Sequence, residues 1–144
     1  MPISLGYLSV VQFRARKYCS NTGASLIPFG AEIPGAVEAI AAARLAAFDR
    51  EEGWCAAGSS VLARGLAAAL PKARRHVVQI GRDLTPREVA GATIHVHPRK
   101  FSDRAALAVP FPADPHYDAK AWDIYLAKRG SGLALFWNVA PLIG

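Results

Sequence analysis

Apolar positions along the chain change period several times, and each change marks an element. From Leu8 to Asn21, Val10, Val11 and Tyr18 fall near one face of a predicted helix; Arg14, Arg16 and Lys17 form its polar side and Gly23 ends it. Ala24 to Phe29 then reads as a short strand running toward Gly30. Between Pro34 and Arg50, Val37, Ile40, Ala41, Leu45 and Phe48 recur at helical spacing, and Pro34 suits a first turn. Trp54-Cys55-Ala56-Ala57 lacks polar alternation, the pattern of a strand covered on both faces. After it, Leu62, Leu66 and Leu70 stack at intervals of four residues in a helix that starts at Val61 and is stopped by Pro71.

The second half continues the alternation. His76 to Ile80 predicts a strand closed by Gly81, and Thr85, Pro86 and Glu88 form a capping box for a short helix ending at Gly91. Thr93 to His97 is a further strand, and Ser102 to Tyr117 a proline-rich loop. Asp118 to Arg129 predicts a helix that buries Trp122, Tyr125 and Leu126, with Asp118 as its cap; Leu133 to Val139 is the closing strand. Alternating helices and strands predict an α/β fold, a three-layer sandwich with a mainly parallel sheet and helices on both faces. With no repeat and no internal boundary, residues 1–144 are expected to form one α/β domain.

Composition narrows the class. Apolar residues make up 52% of the chain, yet no stretch approaches the roughly 20 residues that cross a bilayer, and Met1 to Val10 lacks a basic segment ahead of its apolar residues. The expectation is a cytoplasmic protein with no membrane contact. Cys19 and Cys55 have no CxxC or metal spacing and are expected to be structural. The net charge of +6 lies entirely between Arg64 and Arg104, where nine basic residues face three acidic ones. Such an excess suits an anionic ligand or simply a solvated surface. Nucleic acid is the weaker form of the first reading, because Phe101 is the only aromatic residue there able to stack on a base.

The turn Gly58-Ser59-Ser60 joins an apolar strand to an amphipathic helix, where free backbone N–H groups and the positive helix end converge. A phosphate held by those amides, with both hydroxyls assisting, is one reading; a plain serine N-cap is the other, and spacing serves both. No Walker A lysine, Gly-x-Gly-x-x-Gly or Gly-x-Ser-x-Gly accompanies the turn. His95 and His97 share one strand face, a spacing that metal sites use; a third ligand would have to come from His76, His116 or a distant acid, none of which the sequence fixes, and histidines that hydrogen-bond locally or line a pocket rim are the preferred reading. Pro110 to Asp118 has the composition of a loop bordering a site. Asn138 falls near the same sheet edge as the phosphate turn if its strand is parallel; a turn-forming role before Pro141 is equally open.

In order, Gly23-Ala24-Ser25-Leu26-Ile27-Pro28-Phe29-Gly30, Trp54 to Leu66 with its Gly58-Ser59-Ser60 turn, His76 to Arg82, Pro110-Phe111-Pro112, His116 to Trp122 and Leu135-Phe136-Trp137-Asn138 resemble the C-terminal half of a fold-type II pyridoxal-phosphate-dependent protein. The likeness covers most of the chain from Leu8 onward and is to the tryptophan synthase β superfamily, nearest to aminocyclopropane-carboxylate deaminase and cysteine desulfhydrase. It implies a lyase or deaminase chemistry on small amino acids, pyridoxal phosphate as cofactor, and a phosphate cup formed by Gly58, Ser59, Ser60 and the backbone of Val61, with Asn138 beside it. Ser60 stands where that family more often has glycine. The family's Schiff-base lysine has no counterpart among the lysines here, which implies a truncated member, inactive alone and partnered by a missing N-terminal half, a partner chain or a second copy of itself. A non-catalytic module for a phosphometabolite or nucleotide is the alternative expectation.

Overall fold

A computed structural model of the chain describes residues 5–43 and 50–139. Its elements are α1 (Leu5–Thr22), α2 (Ala36–Ala42), β1 (Glu52–Ala57), α3 (Val61–Ala69), β2 (Arg74–Gln79), β3 (Thr93–Val96), α4 (Asp118–Lys128) and β4 (Ala134–Trp137), with a 3-10 turn at Phe29–Ala31. The four strands form one sheet in the order β3-β2-β1-β4, every pair parallel. The fold is α/β, three layers deep, as the alternating pattern predicts.

β1 is central, and all six of its residues are buried. Its side chains alternate between two cores. Cys55 and Ala57 meet Ala63, Leu66 and Ala69 of α3 together with Val77 of β2. Trp54 and Ala56 meet Ala121, Ile124 and Tyr125 of α4 together with Val78. Full burial of a side chain the size of Leu66, Val77, Val78 or Ile124 contributes about 1.5–3 kcal/mol, so the apolar run Trp54 to Ala57, packed on both faces, is fixed between two helical layers. α2 in turn lies on α3 at Gly65, where a Cβ would collide with the side chain of Ile40.

At the other end of β1, Glu52 is only 3% exposed yet fully partnered. It accepts from Trp54 Nε1 at 3.0 Å, Arg74 at 2.9 Å and the Gly130 N–H at 3.1 Å, tying together β1, β2 and the approach to β4. Burial pushes its carboxyl upward, but those three donors outweigh it and hold the group below its usual value.

Several predicted elements change. Ala24 to Phe29 is not a strand: Gly23, Gly30 and Gly35 have φ of 73°, 73° and 84°, so the chain turns repeatedly, and its residues are exposed with no strand beside them among the described residues. The long helix predicted from Pro34 begins at Ala36, behind Gly35, and is described to Ala42; the expected Leu45 and Phe48 lie outside the described residues. The capping box at Thr85 does form, with Glu88 accepting from the Thr85 N–H at 2.8 Å, but no helix follows. The segment closes as turns, with Ala90 and Gly91 at φ 51° and 75°. On α4, Leu126 is 39% exposed, and Ala121, Ile124 and Tyr125 make the buried face. Asp118 is the first helical residue instead of the cap; Asp114 organises the approach by accepting from the His116 N–H at 2.7 Å.

Candidate functional site

The turn Gly58-Ser59-Ser60 leaves the C-terminal end of β1 and enters α3 at Val61. β1 lies between β2 and β4, so the turn stands where the strand order reverses, the position at which open parallel sheets collect ligands.

Gly58 is needed for space. It is not among the glycines with positive φ, but a Cβ there would lie 3.3 Å from the Ile80 carbonyl oxygen and 3.6 Å from the Tyr117 ring. Its peptide groups are engaged on both sides: the N–H donates to Tyr117 Oη at 2.8 Å, and the carbonyl accepts from Arg82 Nε at 3.0 Å. Burial above all pushes the Tyr117 hydroxyl up to about 12, so it remains a neutral phenol at the turn. Cys55, two residues before the strand's end, is likewise pushed up to about 12 by burial and by Asp118, the mark of an inert thiol.

With the Gly58 amide occupied, the donors left at the turn are those of Ser59, Ser60 and the first residues of α3, for whose N–H groups no acceptor is found among the described residues. Ser60 has φ −91° and ψ −3°, a conformation open to any residue, and its side chain makes no cap hydrogen bond. A serine in place of glycine therefore costs the backbone nothing here, and its hydroxyl is not used as a cap. Val61 is 4% exposed and offers the site only its backbone.

Ser59 and Ser60 open into a cleft of about 410 Å³ that Arg64, Arg82 and Arg87 also line, along with Glu32 and Glu88. Arg64, one turn beyond Ser60, pairs with Glu32 from the segment before α2. Arg82 Nη2 pairs with Glu88 at 3.0 Å while its Nε holds the turn. Glu88 is kept below its usual value chiefly by the Thr85 N–H, then by Arg82. The cleft holds three guanidinium groups and two carboxylates, a surplus positive charge beside orphan amides. Neither Arg64 nor Arg82 was assigned to the site from sequence, although Arg64 stands four residues after Ser60 and Arg82 just past a strand-closing glycine. Tyr117 carried no local signal for its role, since its partner is 59 positions away.

Asn138 follows β4 on the other side of β1 and does not line this cleft. β4 is parallel, as its proposed role requires, but Nδ2 donates to the Pro112 carbonyl at 2.7 Å and so fastens the proline-rich loop to the sheet edge. Its Oδ1 is buried, and no hydrogen-bond partner for it is found among the described residues.

Three of the four histidines, His76, His95 and His97, form two separate structures on the α4 side. His76 stacks on Trp54 with ring centroids 4.1 Å apart, His95 lies over the same indole at 5.1 Å, and their Nδ1 and Nε2 atoms are 3.0 Å apart. Burial lowers both imidazoles from their ordinary value, helped for His95 by the proximity of His76 and Lys128. His97 leaves the strand and meets Asp123 at 2.9 Å. That carboxylate also accepts from the Ala106 and Leu107 N–H groups at 2.7 and 3.0 Å, anchoring the loop before α4. Among the described residues no three His, Cys, Asp or Glu side chains converge as a metal-binding set.

None of the chain's five lysines lines the cleft. Lys120, 1% exposed, donates to the Lys100 and Phe101 carbonyls, the latter at 3.1 Å, and burial lowers it from its ordinary value. The residues at the turn thus fit the phosphate end of a phosphorylated molecule, whereas among the described residues no amine is placed there to bond an aldehyde. Among the described residues, no helix is long and apolar enough to cross a membrane. No protein-family model matches the chain, and no curated protein does.

Proposed function

We propose that the chain binds the phosphate of a small phosphorylated molecule at Ser59 and Ser60, and that pyridoxal phosphate is the first ligand to test. One observation carries this reading: a serine-bearing turn with unpartnered amides opens into an arginine-lined cleft at the C-terminal edge of a central parallel strand. The sequence resemblance supports pyridoxal phosphate within that class. When bound to a lysine, this cofactor supplies an electron sink for amino-acid chemistry. Here Ser59, Ser60 and the first amides of α3 would hold its phosphate, Arg82 and Tyr117 would fix the turn, and Asn138 would keep the neighbouring loop in place. The lyase or deaminase activity that the resemblance implies needs an amine that these residues do not provide. The isolated chain is therefore read as a binding unit, cytoplasmic and self-associating, with catalysis dependent on a partner segment.

Pyridoxal phosphate added to the protein should bind with a change in its visible absorbance, and Ser60→Asp should weaken binding by about tenfold or more through charge repulsion at the amides. Intact binding in Ser60→Asp would remove the turn as the site. A borohydride-stable adduct on one lysine would overturn the assignment as a non-catalytic unit. The second reading, a nucleotide or phosphometabolite module, is favoured by the absence of a lysine from the cleft; a thermal shift with such ligands and none with pyridoxal phosphate would select it. Nucleic-acid binding ranks last, and affinity that did not change between low and moderate salt would dismiss it.

A further inference from the structure

α1 is capped by Gly23, whose N–H donates to the Cys19 carbonyl at 2.9 Å and whose φ of 73° turns the chain back toward the helix. Leu8, Val11 and Ala15 share one side of α1 at helical spacing, and with Leu26, Ile27 and Phe29 of the returning segment they border a groove of about 350 Å³. Mostly apolar lining and a volume of this order are the marks of a small-molecule site. Its one charged member, Arg16, is exposed, and from Leu5 to Ala31 the sequence has no Asp or Glu, so the groove opposes no anion. The same segment reaches the phosphate turn. One residue beyond Phe29, the Gly30 backbone is packed against Ser59, where a Cβ would collide with the hydroxyl. Phe29 lines both the groove and the cleft that holds Ser59, Ser60 and the three arginines. A cavity built for charge and one built for hydrocarbon therefore share a wall.

We propose that cleft and groove together hold a phosphate monoester of an apolar chain, its phosphate at Ser59 and Ser60 and its chain passing over Phe29 into the groove beside α1. The proposal rests on the phosphate-binding reading above and adds what the phosphate carries. The two ends of such a ligand are held by different forces. Amides and guanidinium groups take the charge, and removal of hydrocarbon from water holds the chain, each buried methylene tightening binding about fourfold. Pyridoxal phosphate, whose phosphate stands one carbon from a polar ring, engages the cleft and leaves the groove unfilled.

The test titrates methyl phosphate, octyl phosphate and octanol into the full chain and follows backbone amide signals by NMR. Octyl phosphate should bind about thirtyfold tighter than methyl phosphate or more, moving the signals of Ser59, Ser60, Leu26 and Ile27, whereas methyl phosphate moves those of the two serines only. The double variant Val11→Ser and Ile27→Ser should shrink that preference about fivefold or more and leave methyl phosphate binding unchanged. Both side chains are exposed, so its thermal unfolding should match that of the parent chain. Equal affinity for the two phosphates, or a preference that survives the double variant, overturns the apolar extension and leaves the phosphate site standing. Octanol bound as tightly as octyl phosphate also overturns it, by detaching groove from cleft. Affinity for octyl phosphate that falls as protein concentration rises gives the groove to a second copy of the chain and overturns the assignment. Failure of both phosphates to move the serine signals removes the phosphate reading and the extension together.

Discussion

The peptide at Gly58 is gripped from two directions, by a phenol on its N–H and a guanidinium on its carbonyl. Tyr117→Phe removes the acceptor from a part-buried donor, so it should destabilise the protein by about 1–2 kcal/mol in urea unfolding while leaving the ring's packing intact. At the opposite end of β1, Glu52→Ala strips one carboxylate from three donors in a buried setting and should cost about 3–5 kcal/mol by the same measurement. Acid should act in two stages. The His76 and His95 values lie below the ordinary 6.5, so their neutral forms contribute stability that is complete above that pH and is lost as pH falls through the lowered values. Glu52 follows: its contribution is present above 4.5 and disappears as pH drops through its own lowered value. A chemical-denaturation series from pH 8 to pH 2 checks the order, and Glu52→Gln should abolish the later step.

Among the elements, those defined by their own periodicity were legible. The unbroken apolar run of β1 and the leucine spacing of α3 depend on burial between two layers, and the sequence carries that burial directly. Ala24 to Phe29 misled because an apolar run specifies a strand only when another strand can accept its hydrogen bonds, and the positive-φ glycines around it direct the chain elsewhere. The Thr85 box was read correctly as local chemistry, but a cap does not supply the length that cooperative helix formation requires. The site was legible in part for the same reason. Gly58, Ser59 and Ser60 are contiguous, whereas Tyr117, Glu32 and the His97–Asp123 pair act through contacts that no local pattern encodes. Asp123 shows how much such a contact holds: Asp123→Ala leaves His97 and two backbone donors without their acceptor. That variant should speed proteolytic cleavage between Arg104 and Tyr117 severalfold before the rest of the domain yields, as followed by peptide mapping.

At the scale of the whole molecule, apolar surface is unevenly placed. No described side chain from Leu8 to Ala43 is buried, and Phe13, Tyr18 and Ile27 are 63%, 64% and 71% exposed. Exposed apolar side chains in this number promote association, so the chain is expected to form homo-oligomers at micromolar concentration. Sedimentation velocity should show a smaller species for the double variant Phe13→Asp and Ile27→Asp than for the parent chain, with unchanged circular dichroism.

The stack around Trp54 gives the protein an internal optical reporter. Trp54 has no solvent exposure and lies 4.1 Å from the His76 ring, whereas Trp122 and Trp137 are half-buried. An imidazolium quenches indole emission more strongly than a neutral imidazole. In a Trp122→Phe, Trp137→Phe background, the blue-shifted emission of Trp54 should dim only as pH falls below 6.5, the ordinary value from which both histidines are displaced. The protonation state of a pair inside the sheet can thus be followed by light, without labelling the protein.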